Sequence, residues 1–328
     1  MNAAVARAAP LAVLGKRREG IQRYGLPLTV AAMFVFFGLA TPHFHELGNF
    51  VALVHAMAPL AVIASGLALV MISGKLDISV GSNAFLSSTV GTILMVRYDV
   101  NPFFACFVVL AVGALLGAVN GFIVVVMGVN PLIATLGGMI AFRGAALQLT
   151  AARTIDLPDS VRGYGDMSLA GVPLQILIAF AIVVAVHLVH TSTPFGRHLT
   201  AIGNGTDLAV RLGLPVRRLT FLNFMLCGVL ASLGGLMSTL QIGSVTAYMG
   251  IGLEFNAVAV VVVGGVSLFG GRGSILRAVV LGALAFETIR NGLNHLAANP
   301  YAYRLVGGAV IFIAMYADAL KPNRSSKG

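Results

Sequence analysis

Residues 50–72 read FVALVHAMAPLAVIASGLALVMI, a run without a single Asp, Glu, Lys or Arg. At 1.5 Å per residue, about 20 such positions in a helix cross a hydrocarbon layer roughly 30 Å thick. The run lacks the alternation of a half-buried strand, and it has no polar stripe to face water. It therefore predicts a helix whose surroundings are apolar on every side.

Similar runs recur on both sides of it, at 25–42, 80–96, 102–127, 131–150, 173–190, 220–241, 255–269, 275–296 and 303–319. Because backbone N–H and C=O groups in lipid must be satisfied within the segment, helices are the expected form, and the unalternating runs argue against a β-barrel. The expected fold is all-α: a polytopic transmembrane bundle of about ten spans. The 255–269 run leaves open whether it crosses fully or re-enters. Composition agrees, since 58% of the residues are hydrophobic and 10% charged, against roughly 25% charged in an ordinary soluble domain. A water-soluble fold of this size could not clothe itself. Glycines at 113, 117 and 121 make a small-residue helix face of the kind that lets helices approach closely in lipid.

The net charge is +10, but the Lys and Arg residues sit in short segments between the apolar runs, so they predict orientation rather than nucleic-acid binding. With the N-terminus placed inside, Lys75, Arg197, Arg211, Arg217, Arg218, Arg272, Arg277, Lys321, Arg324 and Lys327 fall inside with the basic N-terminal residues. Only Arg97, Arg153, Arg162 and Arg304 fall outside. This asymmetry predicts an even number of spans with both termini cytoplasmic. Residues 1–24, with Arg7, Lys16, Arg17, Arg18 and Arg23, lack a signal-peptide core and are expected to be a retained cytoplasmic tail. A transmembrane domain at 25–320 and a C-terminal tail at 321–328 follow. Two connections exceed a turn. Residues 151–172 carry Asp156, Asp159 and Asp166 and read as an external loop. Residues 191–219 alternate basic and apolar positions, as a short amphipathic helix would, and are the natural docking point for a cytoplasmic partner.

Motifs for covalent chemistry are missing. Gly15-Lys16 is followed by Arg17 and Gly74-Lys75 by Leu76, so neither opens a P-loop, and no His-Glu-x-x-His or Gly-x-Ser-x-Gly occurs. The chain is not expected to be an enzyme or to bind ATP in a P-loop of its own. Cys106 and Cys227 read as buried thiols. His187 and His190 share a helix face without a third ligand nearby, so neither a metal nor another cofactor is expected.

The remaining signals are polar groups within or beside apolar runs. Asp77 lies in a Gly-flanked break between two spans, where it either lines a pathway or serves as an ion-pair or capping group at the rim, Lys75 being one available cation. Arg143 must find a carbonyl, a carboxylate or a wet cavity. Asn83, Asn120, Asn223, Asn256 and Asn291 can replace the water shell of a polar solute or bond a neighbouring helix. Glu287 and Arg290, three apart, can neutralise each other, and helix-start electrostatics accounts for Glu254.

Four blocks then carry a resemblance. Residues 73–81, SGKLDISVG, and 130–137, NPLIATLG, with Arg143-Gly144, are similar to blocks of the ribose-type sugar permeases, the membrane subunits of bacterial ATP-binding-cassette importers. Residues 193–197, TPFGR, with Ala201-Ile202-Gly203-Asn204, resemble that family's cytoplasmic loop, and 263–274, VGGVSLFGGRGS, its late glycine-rich segment, with Asn291-Gly292-Leu293-Asn294 following. The match runs from about residue 50 to 318. Lys75 departs from the pattern, standing where the family usually has a second glycine.

The resemblance implies a multi-pass permease of the bacterial inner (plasma) membrane that moves a monosaccharide or similar small polar solute. It implies a cytoplasmic ATPase subunit and a periplasmic solute-binding protein as partners, and pairing with a second copy or a related permease. On that basis Asp77, Asn83, Asn120, Arg143, Asn256 and Asn291 are the expected pathway residues. Phe195, Gly196, Arg197, Ala201, Ile202, Gly203 and Asn204 are the expected ATPase-coupling residues, with Phe195, Leu199 and Ile202 supplying an apolar face. An amphipathic helix lying on the bilayer is the other reading of that loop. The rival function is an ion-coupled carrier acting alone, for which Asp77 and its glycines would be the candidate site. The solute itself is not named by these residues.

Overall fold

The computed structural model describes residues 24–299, 305–309, 312, 313 and 316. The basic segment before Tyr24, the tail 321–328 and part of the expected 303–319 span lie outside the described residues.

Helices dominate. α1 (Tyr24–Ala40) is followed by α2 (Leu47–Ile72), α3 (Val80–Tyr98), α4 (Pro102–Val125), α5 (Pro131–Thr150) and the single turn α6 (Asp159–Arg162). Then come α7 (Leu174–Ser192), α8 (Pro194–Asn204), α9 (Thr206–Arg211), α10 (Val216–Ile242), α11 (Leu253–Val263) and α12 (Ile275–His295). Four two-residue strands make two antiparallel pairs: β1 (Ile155–Asp156) with β4 (Ser244–Val245), and β2 (Ser168–Leu169) with β3 (Val172–Pro173).

Local chemistry explains the helix starts. Asn101 and Asn130 each accept a hydrogen bond from the backbone N–H two residues on, and each precedes a proline at the first helical position. Asp99 and Ala151 close α3 and α5 in the left-handed conformation, and Gly243 does the same for α10.

Five of the described helices, α2, α4, α5, α7 and α10, are long and apolar enough to cross a membrane. In α3 the run is diluted by Ser82, Asn83, Ser87, Ser88, Thr89 and Thr92, and α12 carries Arg277, Glu287 and Arg290. The expected 255–269 span is helical only from Leu253 to Val263. It stops at Gly264 and Gly265, the latter at φ 102°. Its 11 residues span about 16 Å, half of a hydrocarbon layer.

α2 and α10 form the centre. α10 runs along α4, α2 and α3, and α2 in turn contacts α12, α7 and α11. From Ala58 to Ile72 every residue of α2 is buried, so the run that most resembles a lipid-bathed helix is wrapped by protein. The periphery is the reverse. Phe103, Phe104, Phe107, Leu115 and Phe122 of α4, Ile133 and Ile140 of α5, and Phe180 and Leu188 of α7 face outward. An apolar exterior of that extent suits lipid and not water.

The α4–α10 crossing depends on small residues. A methyl added at Gly113, Gly117 or Gly228 would run into the backbone of the other helix. Helices α7 and α10 separate two sets of connections. At one end of the bundle the 73–79 break, α8 and the 264–274 loop meet, with the Gly271 N–H donating to the Ile72 carbonyl at 2.8 Å. Toward the other end, β1–β4 pairing joins the 151–172 segment to the chain leaving α10.

Candidate functional site

The break after α2 is built around a buried carboxylate. Asp77 is 2% exposed, and its Oδ1 accepts from the Ser79 backbone N–H at 2.9 Å and the Ser79 hydroxyl at 2.7 Å. Ser79 Oγ in turn accepts from Asn120 Nδ2 of α4 at 2.7 Å, and the Ile78 N–H donates to Thr135 Oγ1 of α5 at 3.2 Å. The turn that launches α3 is thereby pinned to two neighbouring helices. Burial pushes the Asp77 carboxyl above the usual carboxylate range, and the two Ser79 hydrogen bonds pull it back in part. Lys75 does not neutralise it: its ammonium lies 3.4 Å from the Ser73 carbonyl, and burial lowers its pKa. The ion-pair alternative with Lys75 is thus not the arrangement seen.

Three amides line the same region with their donors engaged and their acceptors open. Asn83 Nδ2 donates to Gly113 O at 3.2 Å, Asn120 to Ser79, and Asn223 to Leu69 O at 3.1 Å and Ser73 Oγ at 3.3 Å. The Oδ1 atoms of all three are buried without a hydrogen-bond partner. Ser82, Ser88, Thr89 and Thr92 add buried hydroxyls without partners along α3. Sequence reasoning passed over these four. The signal that could have found them is the low apolarity of α3 among otherwise fatty helices.

Arg143, past the middle of α5, finds a carbonyl. Its Nη1 donates to Met249 O at 3.2 Å, and the guanidinium carbon lies 5.6 Å from the centre of the Phe85 ring. It thereby satisfies backbone left free where the chain is irregular between α10 and α11. Asn256 sits half-buried near the start of α11. Asn291 is not part of this group. It pairs with Asn49 at 3.1 Å near the start of α2, the opposite end from Asp77, where His295 also reaches Asn49. Buried Glu287 receives Arg290 Nε at 2.8 and 3.0 Å, the intrahelical neutralisation that the spacing suggested. Cys106 and Cys227 are both free, the latter buried.

The amphipathic segment of the 191–219 loop is α8. Pro194 opens it and Thr193 Oγ1 accepts from the Gly196 N–H at 3.4 Å. Its apolar face points inward, contrary to the expectation of a face offered outward: Leu199 and Ile202 are buried in the chain's own core, and Phe195 packs against it half-buried. Gly196 lies on the His190 backbone, and Gly203 fits against the Ile72 carbonyl and the Gly271 N–H with no room for a methyl. Ala201 is half-buried. Arg197 and Asn204 remain exposed, and beyond them α9 exposes Leu208 and Arg211. The physical reason is the seating of α8 on the end of α2, which takes up the apolar stripe.

A bundle with an apolar exterior and a seam of buried, half-satisfied polar groups is the architecture of a multi-pass membrane permease. The chain belongs to the family described as branched-chain amino acid transport system / permease component, which matches residues 49–315. It is 35% identical over 309 residues to the probable ABC transporter permease protein YphD of Escherichia coli K12, covering 94% of this chain and 92% of that one. It is 33% identical to the ribose import permease protein RbsC of Escherichia coli K12, over 86% of this chain and 88% of that one. The D-allose transport system permease protein AlsC of Escherichia coli K12 is 31% identical over 91% of this chain and 92% of that one.

Proposed function

We propose that the chain is the permease subunit of an ATP-binding-cassette importer that carries a monosaccharide or similar small polyol across the bacterial inner membrane. In this reading about ten spans leave both termini cytoplasmic, and two permease subunits enclose the pathway. A periplasmic solute-binding protein delivers the sugar and a separate cytoplasmic ATPase supplies the free energy. The nucleotide cycle biases inward- and outward-open states.

The observation that carries the reading is the polar seam along α3: Asp77, Ser79, Asn83 and Asn120 with the open hydroxyls of Ser82, Ser88, Thr89 and Thr92. Buried hydroxyls and amides without partners are costly in an apolar bundle, and a hydroxyl-rich solute can supply what they lack. The ribose and allose transport named for two relatives supports a sugar as the solute class.

The coupling residues follow from the seat of α8. Gly196, Ala201, Ile202 and Gly203 hold the helix to the body, Phe195 braces it, and Arg197 and Asn204 face the ATPase. Movement of α8 would reach the Asp77 break through Gly203 and Ile72.

Reconstitution in proteoliposomes tests the proposal. Uptake of D-ribose or D-allose that requires ATP, an ATPase subunit and a binding protein is expected. Uptake by this chain alone, driven by a sodium or proton gradient and indifferent to ATP, would replace the importer with an ion-coupled carrier.

A further inference from the structure

A buried carboxylate and a half-buried guanidinium, each with one buried hydrogen-bonding atom left open, border one glycine contact beside the seam. Glu254 is 6% exposed and its Oε2 has no hydrogen-bond partner. Arg143 commits Nη1 to Met249 O at 3.2 Å and leaves a buried Nη2 without one. Between them Gly250, at φ 74°, packs on the backbone of Gly81. A methyl on Gly81 would strike Glu254 Oε2, and one on Gly250 would lie 3.4 Å from Arg143 Nη2. The two charges are near enough to attract each other, yet they do not pair within ion-pair distance, unlike Glu287 with Arg290.

Two buried polar atoms, Glu254 Oε2 and Arg143 Nη2, cost stability while they lack partners. A hydroxyl serves both at once, donating to Oε2 and accepting from Nη2. The Phe85 ring, one turn after Gly81, stands beside Arg143 and can take the C–H face of a ring-shaped solute. The backbone between α10 and α11 is irregular here, and α11 is too short to cross by itself. Within a membrane protein such backbone is tolerated where it is buried or lines a cavity, and half-helix starts are recurrent solute sites.

We infer that Arg143 and Glu254 form a hydroxyl-binding subsite for the transported polyol, flanking the close contact of Gly81 with Gly250. This rests on the sugar-permease reading above. It adds Glu254 to the pathway and gives Gly81 a reason: a side chain there would displace the carboxylate.

The test uses the chain assembled with its ATPase and binding protein in proteoliposomes, with D-ribose uptake and ATP hydrolysis measured in parallel. Arg143→Gln and Glu254→Gln are expected to lower ribose moved per ATP hydrolysed by about tenfold or more, the scale of a lost charge-assisted hydrogen bond. Arg143→Lys and Glu254→Asp should recover part of it. Uptake and hydrolysis falling in proportion would assign the pair to the scaffold and overturn the subsite, as would uptake and hydrolysis both unchanged, the result expected if the two atoms meet only water. Should a Gln variant fail to assemble, Arg143→Lys and Glu254→Asp, which keep the charge and move the polar atom, carry the same expectation at reduced size, and an unchanged ratio there overturns the proposal. If the native assembly takes up neither D-ribose nor D-allose, the sugar reading falls and the subsite with it. Normal native uptake with indifferent variants removes the subsite alone.

Discussion

Asp77 shows how one side chain organises a helix start. It terminates the break after α2 by accepting both Ser79 donors, and Ser79 then becomes the acceptor for Asn120. Replacing Asp77 with Ala would leave the buried Ser79 N–H unsatisfied and is expected to cost about 1–3 kcal/mol, read as a lower thermal midpoint in detergent. The raised pKa sets a second expectation. Relative to the ordinary Asp value near 3.9, the folded chain holds this proton more tightly than the unfolded one does, so the group's contribution is complete below that value. It is lost as pH rises through the raised value. Asp77→Asn, which keeps an acceptor oxygen and cannot ionise, should flatten that part of the stability–pH profile. An unchanged slope would place the titration elsewhere.

Among the elements, the α4–α10 crossing and the seat of α8 are set by glycines that the neighbouring backbone touches. Gly228→Leu would drive the two helices apart, and overpacking of this kind costs about 1–3 kcal/mol. Gly38→Ala in α1, with nothing within 4 Å, should leave the thermal midpoint unchanged or slightly raised. At α8, Gly203→Val is expected to lift the helix from Ile72 and Gly271. Binding-protein-stimulated ATP hydrolysis by the assembled transporter should then fall while the unstimulated rate persists. Equal stimulation in the variant would remove Gly203 from the coupling path. That Gly113, Gly117 and Gly121 form a contact face was legible from their spacing. That α8 turns Leu199 and Ile202 inward was not, because an amphipathic stripe does not say which apolar surface will cover it.

At the scale of the molecule the arrangement predicts sidedness. Asp166 lies in the segment joined to the end of α10, and Arg197 lies on α8 at the opposite end of α7. Both are exposed. In a background with Cys106 and Cys227 replaced, Asp166→Cys should react with an impermeant maleimide added outside intact cells. Arg197→Cys should react only in inverted membranes. Labelling of both from one side would overturn the proposed sidedness, and the opposite pattern would reverse the orientation. The 131–150 run coincides with α5, and 50–72 falls short of α2 by only its first three residues. The 255–269 run, open between a full and a re-entrant crossing, is helical only over Leu253–Val263. Its valines give a lipid-like hydropathy, and only the contacts of Gly264 with Ala278 and of Gly282 with Val260 show a short helix packed on α12.

By itself the sequence determined that this chain lives in an apolar solvent, where most of its helices begin and end, and which family it resembles. Those properties reside in composition, in Asn-Pro and Thr-Pro starts, and in short ordered motifs. Tertiary structure alone decided that α2 is sheathed in protein while α4 faces outward, and that Asn291 binds Asn49 far from Asp77. It also decided that Arg143 and Glu254, on separate helices, meet at Gly81 and Gly250. The reason is physical: lipid and protein interior are both apolar, so hydropathy cannot distinguish them, and only packing assigns each buried polar group a partner or leaves it one to find.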